Sequence, residues 1–151
     1  MIKPPKNYFT NEFIPKLNIG LIYEDKAKKR ILNYYNNDIK ILNSNNDFKY
    51  DFELTNNYKF EVKADIKASL TNNIFIEFLQ FNLSSGIDTT EADYYIIIVP
   101  LNDYILIETE KIKKLINEKL YKFIIHPNKN NNFTAGYIFD KQIIIDNGIL
   151  I

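Results

Sequence analysis

The chain has 151 residues, no cysteine, a single histidine and a formal net charge of zero. Those values exclude disulfides, cysteine zinc sites and any His–His metal site, and they argue against a large unspecific nucleic-acid footprint. Apolar residues at 46% and charged residues at 25% fit a single globular domain with a real core, and no apolar run reaches the roughly 18 residues of a membrane span.

Residues 1–19 contain Pro4, Pro5 and Pro15, show no clear period and read as an N-terminal arm. They contain no apolar h-region, so no signal peptide is expected. An intracellular, cytoplasmic protein is expected, or a nuclear or viral one if the host is eukaryotic. The domain proper is expected over 20–151. From Gly20 to about Tyr35 the period is helical, with Gly20, Tyr23, Ala27, Ile31 and Tyr34 on one face. Asn36-Asn37 stops that helix, since Asn tolerates the left-handed conformation. Short strands are expected at Ile39–Leu42, Tyr50–Leu54, Tyr58–Ala64 and Ile74–Phe81. Residues 82–92 read as a loop with a short helical turn. The run Tyr94-Tyr95-Ile96-Ile97-Ile98-Val99 reads as a central strand buried on both faces. A turn then leads into a strand at Ile105–Ile107. Thr109 is a suitable N-cap for a helix over Glu110–Leu120, and strands follow at Phe123–Ile125, Tyr137–Phe139 and Ile143–Ile145. The order predicts an α/β or α+β domain with one mixed sheet.

The chemistry concentrates at Asp51 and, ten residues on, Glu61-Val62-Lys63. On a strand, Glu61 and Lys63 point to one face while Phe60 and Val62 point to the other. A hairpin returning over Asn56-Asn57 brings Asp51 to the same edge. Two carboxylates suit a hard divalent cation, Mg2+ or alternatively Mn2+, and the Val62 carbonyl supplies one further oxygen. Lys63 is a compact amine able to orient or deprotonate an attacking water and to stabilise charge on a phosphate. An exposed Glu–Lys pair on a strand would look the same locally.

Glu77 sits within the apolar run Ile74–Phe78 and shares a face with Phe75. A carboxylate there needs either a metal or a partner such as Lys63 or Lys67. Gln80 could stand near the metal or phosphate. Ser84, Ser85 and Gly86 could let a phosphate approach the backbone, or form a plain turn. Lys67 falls on the Glu61/Lys63 face if the strand continues that far, and would then contact phosphate; otherwise it is a solvated lysine. Asp93 reads as structural and His126 as a surface residue. Residues 1–50 hold nine Lys/Arg against five Asp/Glu, and residues 51–151 hold ten against fourteen. That asymmetry suits a metal enzyme acting on a polyanion, and ordinary fluctuation explains it equally.

The strings Lys49-Tyr-Asp-Phe-Glu-Leu54 and Tyr58-Lys-Phe-Glu-Val-Lys-Ala-Asp65, followed by Asn73-Ile-Phe-Ile-Glu77, Ser85-Gly86-Ile87 and Thr89-Thr-Glu-Ala-Asp-Tyr-Tyr95, resemble the PD-(D/E)xK nuclease superfamily. That superfamily includes restriction endonucleases and Holliday junction resolvases, and the likeness is to a viral or phage-type branch. It spans about residues 20–120, with Tyr50 standing where the motif's proline would precede Asp51. The resemblance implies a single restriction-endonuclease-like domain: a central mixed sheet flanked by helices, in the order helix–strand–strand–strand–helix–strand. It also implies metal-dependent cleavage of DNA, a homodimer or higher homo-oligomer, and a further acidic residue from the first helix. Glu24 fits that place better than Asp25, which lies about 100° further round an ideal helix. A first-turn acid favoured by the helix dipole is the plainer account of Glu24. The other functional classes are a non-catalytic nucleic-acid-binding or assembly module keeping the same fold, and a small transferase, for which no cofactor loop is present.

Overall fold

The computed structural model describes residues 13–42, 49–100 and 103–151, with side chains from Ile19 onward. In chain order the elements are α1 (Phe13–Tyr34), β1 (Ile41–Leu42), β2 (Phe52–Leu54), β3 (Lys59–Ala64), α2 (Ala68–Thr71), β4 (Asn73–Gln80) and β5 (Leu83–Ser84). After a 3-10 turn at Gly86–Asp88 come β6 (Tyr94–Val99), β7 (Asp103–Glu108), α3 (Thr109–Asn117), β8 (Phe123–Ile125), β9 (Ala135–Asp140), α4 (Lys141–Asn147) and β10 (Ile149–Leu150).

The first helix begins earlier than the sequence predicts, so residues 13–19 of the expected arm belong to α1, while residues 1–12 lie outside the described part. Pro15 sits in the first turn, where its missing N–H would have no intrahelical partner, and therefore does not break the helix. Ala27 and Ile31 form the fully buried stripe, whereas Gly20 and Tyr34 are exposed. Asn36 and Asn37, both with positive φ (53° and 59°), turn the chain after the helix.

Two sheets replace the single sheet expected. The first is mixed and six-stranded, in the order β1-β2-β3-β6-β7-β10, with β3 parallel to β6 and the other pairs antiparallel. The second is antiparallel and four-stranded, in the order β5-β4-β9-β8. Periodicity identifies β4 as a strand but carries no information on its partner, and β4 pairs with β9 rather than with its sequence neighbour β3. Asp65 fixes this departure: one carboxylate oxygen accepts the Ala68 N–H (3.1 Å) and the other the Phe75 N–H (2.9 Å).

Strand β6 is buried on both faces, as its run of β-branched residues predicts. On one face Ile96 and Ile98 join Phe52, Leu54, Phe60 and Leu106 against Ala27 and Ile31 of α1. On the other, Tyr95, Ile97 and Val99 meet Ile74, Ile76 and Phe139 of the second sheet, Ile112 and Leu115 of α3, and Ile144 of α4. Each fully buried Ile or Phe stabilises this arrangement by roughly 1.5–3 kcal/mol.

Two local readings are corrected. Ile143–Ile145, expected as a strand, lies in α4, because Asp140 caps that helix by accepting the Gln142 N–H (2.8 Å). Only Ile144 of the three is fully buried, so tertiary packing and the cap outweigh β-propensity. At α3, Glu108 rather than Thr109 takes the N-cap position, and the buried Thr109 hydroxyl instead donates to the Ala92 carbonyl (2.7 Å). No described helix is long and apolar enough to cross a membrane.

Candidate functional site

The hairpin of β2 and β3 builds the site. Its register pairs Phe52 with Phe60, whose rings stack at 5.1 Å, and Asn57 turns it with φ of 68°. One residue beyond the end of β2, Asp51 donates its N–H to the Phe60 carbonyl (2.8 Å). Its Oδ2 accepts the Val62 N–H at 2.6 Å. The N–H and C=O of one strand residue point the same way, so the Val62 carbonyl also faces the Asp51 side, where β2 has ended.

Glu61 and Lys63 lie on the opposite face of β3 from Phe60 and Val62, which pack towards α1. Their parallel neighbours on β6 are Tyr95 and Ile97. Both open into a cleft of about 340 Å³, walled on its far side by Glu77, Gln80, Ser84 and Ser85. With Gly86, the structure thus gathers around one cavity seven residues that the sequence singled out, while Asp51 lies outside its lining at the β2–β3 edge.

Glu77 accepts a hydrogen bond from the Ser85 hydroxyl (2.9 Å) and forms no ion pair with Lys63 or Lys67 among the described residues. A bulge at Phe78 breaks the β4–β9 register here and turns the strand. Gly86 packs onto that bend with φ of +52°, and a Cβ at this position would lie 2.2 Å from the Glu77 carbonyl oxygen. The Ser85 N–H is already bonded to the Phe78 carbonyl (3.0 Å), so Ser85 offers neither its N–H nor its hydroxyl freely to a phosphate. Lys67 falls outside the site's alternation: β3 ends at Ala64, and Lys67 is an exposed residue at the N-cap of α2.

On α1, Glu24 is half-buried and pairs with Lys28 (2.7 Å), while Asp25 pairs with Lys29 on the exposed side (3.0 Å). Glu24, unlike Asp25, is half-buried, and its charge acts on both Asp51 and Glu61. Lys28, which sequence reasoning passed over, sits above the Phe52 ring and tempers Asp51 electrostatically. Its signal was the i,i+4 spacing from Glu24. Asp93 is structural as expected, accepting the Lys59 N–H (2.9 Å), and His126 is exposed.

Burial first, and then the charge of Asp51, pushes Glu61 up to about 8; Lys63 opposes this, and Glu77 and Glu24 add to it. Asp51 is raised by burial and Glu24 against the opposing pull of the Val62 N–H, Lys63 and Lys28. Carboxylates here outnumber the cations that could neutralise them. Among the described residues, no three His, Cys, Asp or Glu side chains form a ready-made metal cage. The donor set is smaller: Asp51, Glu61 and the Val62 carbonyl. Hard, partly buried and mutually repelling oxygens of this kind fit a hard divalent cation that keeps several waters.

Tyr95 is the principal residue that sequence reasoning missed. It is 3% exposed, lines the cleft beside Glu61, and its hydroxyl has no hydrogen-bond partner among the described residues. Burial, then the charges of Glu61 and Glu77, raise it above the usual tyrosine value, so it keeps its proton. The only signal was a phenol inside an otherwise aliphatic run. Comparison of the chain with family models, curated proteins and solved structures gave no match.

Proposed function

We propose that the protein is a Mg2+- or Mn2+-dependent nuclease that hydrolyses phosphodiester bonds in DNA, built on the PD-(D/E)xK pattern. The observation that carries this reading is Glu61 beside Lys63 in one cleft, with Asp51 outside its lining but near enough for its charge to raise Glu61. With the short β1 and the single-turn α2 set aside as insertions, α1, β2, β3 and β4 come in the helix–strand–strand–strand order expected of a restriction-endonuclease-like core. Beyond those insertions, β5 and a 3-10 turn stand where a helix would follow, and β4 pairs in the second sheet.

Asp51 and Glu61, with the Val62 carbonyl, would hold the cation. When bound, such an ion polarises a phosphate oxygen and acidifies water. Lys63 lines the cleft on the same strand face as Glu61, where its ammonium would orient the attacking water and stabilise the charge that develops on the phosphate oxygens. Glu24, held by Lys28, adds negative charge behind Asp51. Gln80, which lines the same cleft, would hydrogen-bond substrate. A homodimer would bring a second cleft and a wider DNA surface.

The test is cleavage of labelled duplex, nicked, flap and four-way-junction DNA by wild type and Lys63→Ala, with magnesium, manganese or EDTA. Metal-dependent cutting by the wild type that the variant lacks is expected, and the preferred substrate assigns the subclass. A folded protein that cuts none of these, yet binds DNA equally well after Lys63→Ala, would instead be a non-catalytic binding module.

A further inference from the structure

Tyr95 and Glu61 are direct cross-strand neighbours in the parallel β3–β6 pair, and both line the cleft. Side chains so paired rise from one face of the sheet with Cβ atoms roughly 5 Å apart. The Tyr95 hydroxyl is shut off from solvent and bonded to nothing, the only such side-chain atom among the described residues. Its polar neighbour Thr90 stands outside hydrogen-bond geometry to it, although close enough to act against the upward shift of the phenol. The Thr90 hydroxyl already donates to the Lys49 carbonyl (3.1 Å) and accepts the Ala92 N–H (3.1 Å). Glu77, across the cleft, is held by Ser85.

A buried phenol without a partner costs roughly 1–3 kcal/mol relative to one that is satisfied. Phenylalanine would fill the same volume at this position without that cost. An oxygen kept at this cost marks a place where a further partner would be stabilising. Glu61 is the group whose position that oxygen can fix, because the two side chains share a register position and a cavity.

We propose that Tyr95 is a positioning residue of the metal site: its phenol O–H is the reserved donor to the Glu61 carboxylate, engaged when a divalent cation occupies the cleft. The inference rests on the metal-binding reading above and deepens it. A carboxylate bound to a cation through one oxygen keeps lone pairs on the other, and a fixed donor there selects one orientation of the side chain. Ligand-supporting partners of this kind usually contribute about ten- to a hundredfold in metal affinity. Tyr95 would touch the ligand and not the substrate.

The experiment compares Tyr95→Phe with wild type by Mn2+ titration, followed by calorimetry, and by thermal melting in EDTA. The variant should bind Mn2+ about tenfold more weakly, while its metal-free melting temperature stays level or rises. A residue that merely packs would show the opposite: lowered melting and unchanged affinity. As a second readout, 3-fluorotyrosine labelling should show one 19F resonance that shifts on Mg2+ addition and is absent from the variant. Wild-type affinity in Tyr95→Phe would overturn the role of Tyr95 and leave the metal site standing. Absence of Mn2+ binding by the wild type would overturn both.

Discussion

Asp51 Oδ2 accepts the Val62 N–H at 2.6 Å, so the acid closes the end of the β2–β3 ladder while its charge raises the Glu61 carboxyl. One carboxylate thus serves two ends. It satisfies a strand N–H that β2 is too short to reach, and it brings a second negative charge up to Glu61.

These two roles separate by substitution. Asp51→Asn keeps an oxygen for the Val62 N–H and loses the charge, so it should abolish metal-dependent cleavage with stability within about 1 kcal/mol of wild type. Asp51→Ala also leaves the N–H without its acceptor, which costs roughly 1–2 kcal/mol, partly offset by relief of repulsion with Glu61. Urea unfolding in EDTA alongside a cleavage assay checks this. Equal stability of the two variants would mean that the Val62 hydrogen bond contributes nothing.

The protonation of Glu61 makes metal-free stability depend on pH. Glu61 titrates near 8 in the folded protein against 4.5 as a free side chain. Between those values the unfolded chain has lost a proton that the folded protein keeps, so stability falls as pH rises. The contribution is complete below pH 4.5 and lost as pH passes through about 8. Asp51, raised in the same direction, adds to the slope with the same sign. Glu61→Gln removes the Glu61 contribution: its melting temperature should vary less from about pH 5 to 9, and above pH 8 its unfolding free energy should exceed that of wild type by roughly 1–3 kcal/mol. Melting curves in EDTA decide the matter, and parallel curves for the two proteins would contradict the assigned cause.

What was legible in the sequence follows from which forces are local. The Asp51–Lys63 hairpin was readable because a two-residue period and an Asn-Asn turn fix the register, and register fixes which side chains share an edge. Burial of Tyr94–Val99 on both faces was readable from its unbroken β-branched run. The partner of β4 was not, since that choice rests on Asp65 reaching two backbone N–H groups and on packing against β9. Ile143–Ile145 misled because its strand propensity is strong, while the Asp140 cap that makes it helical is a single side chain. Glu77 was rightly read as a carboxylate in need of a partner, but that partner, Ser85, is brought to it by a bulge that periodicity does not mark.

That bulge makes a last expectation quantitative. Gly86 has φ of +52°, and any Cβ there would meet the Glu77 carbonyl oxygen at 2.2 Å, a backbone atom that cannot swing aside. Gly86→Ala therefore combines a left-handed backbone, unfavourable for alanine, with an overlap relieved only by moving the turn away from β4. The cost should be roughly 2–4 kcal/mol. Because Ser85 precedes Gly86, the same movement pulls the Ser85 hydroxyl from Glu77 and widens the cleft opposite Glu61 and Lys63. Cleavage should then fall by more than the loss of folded protein explains, measured at a temperature where urea titration shows the variant still folded. Full activity per folded molecule would mean that the far wall of the cleft has no part in the reaction.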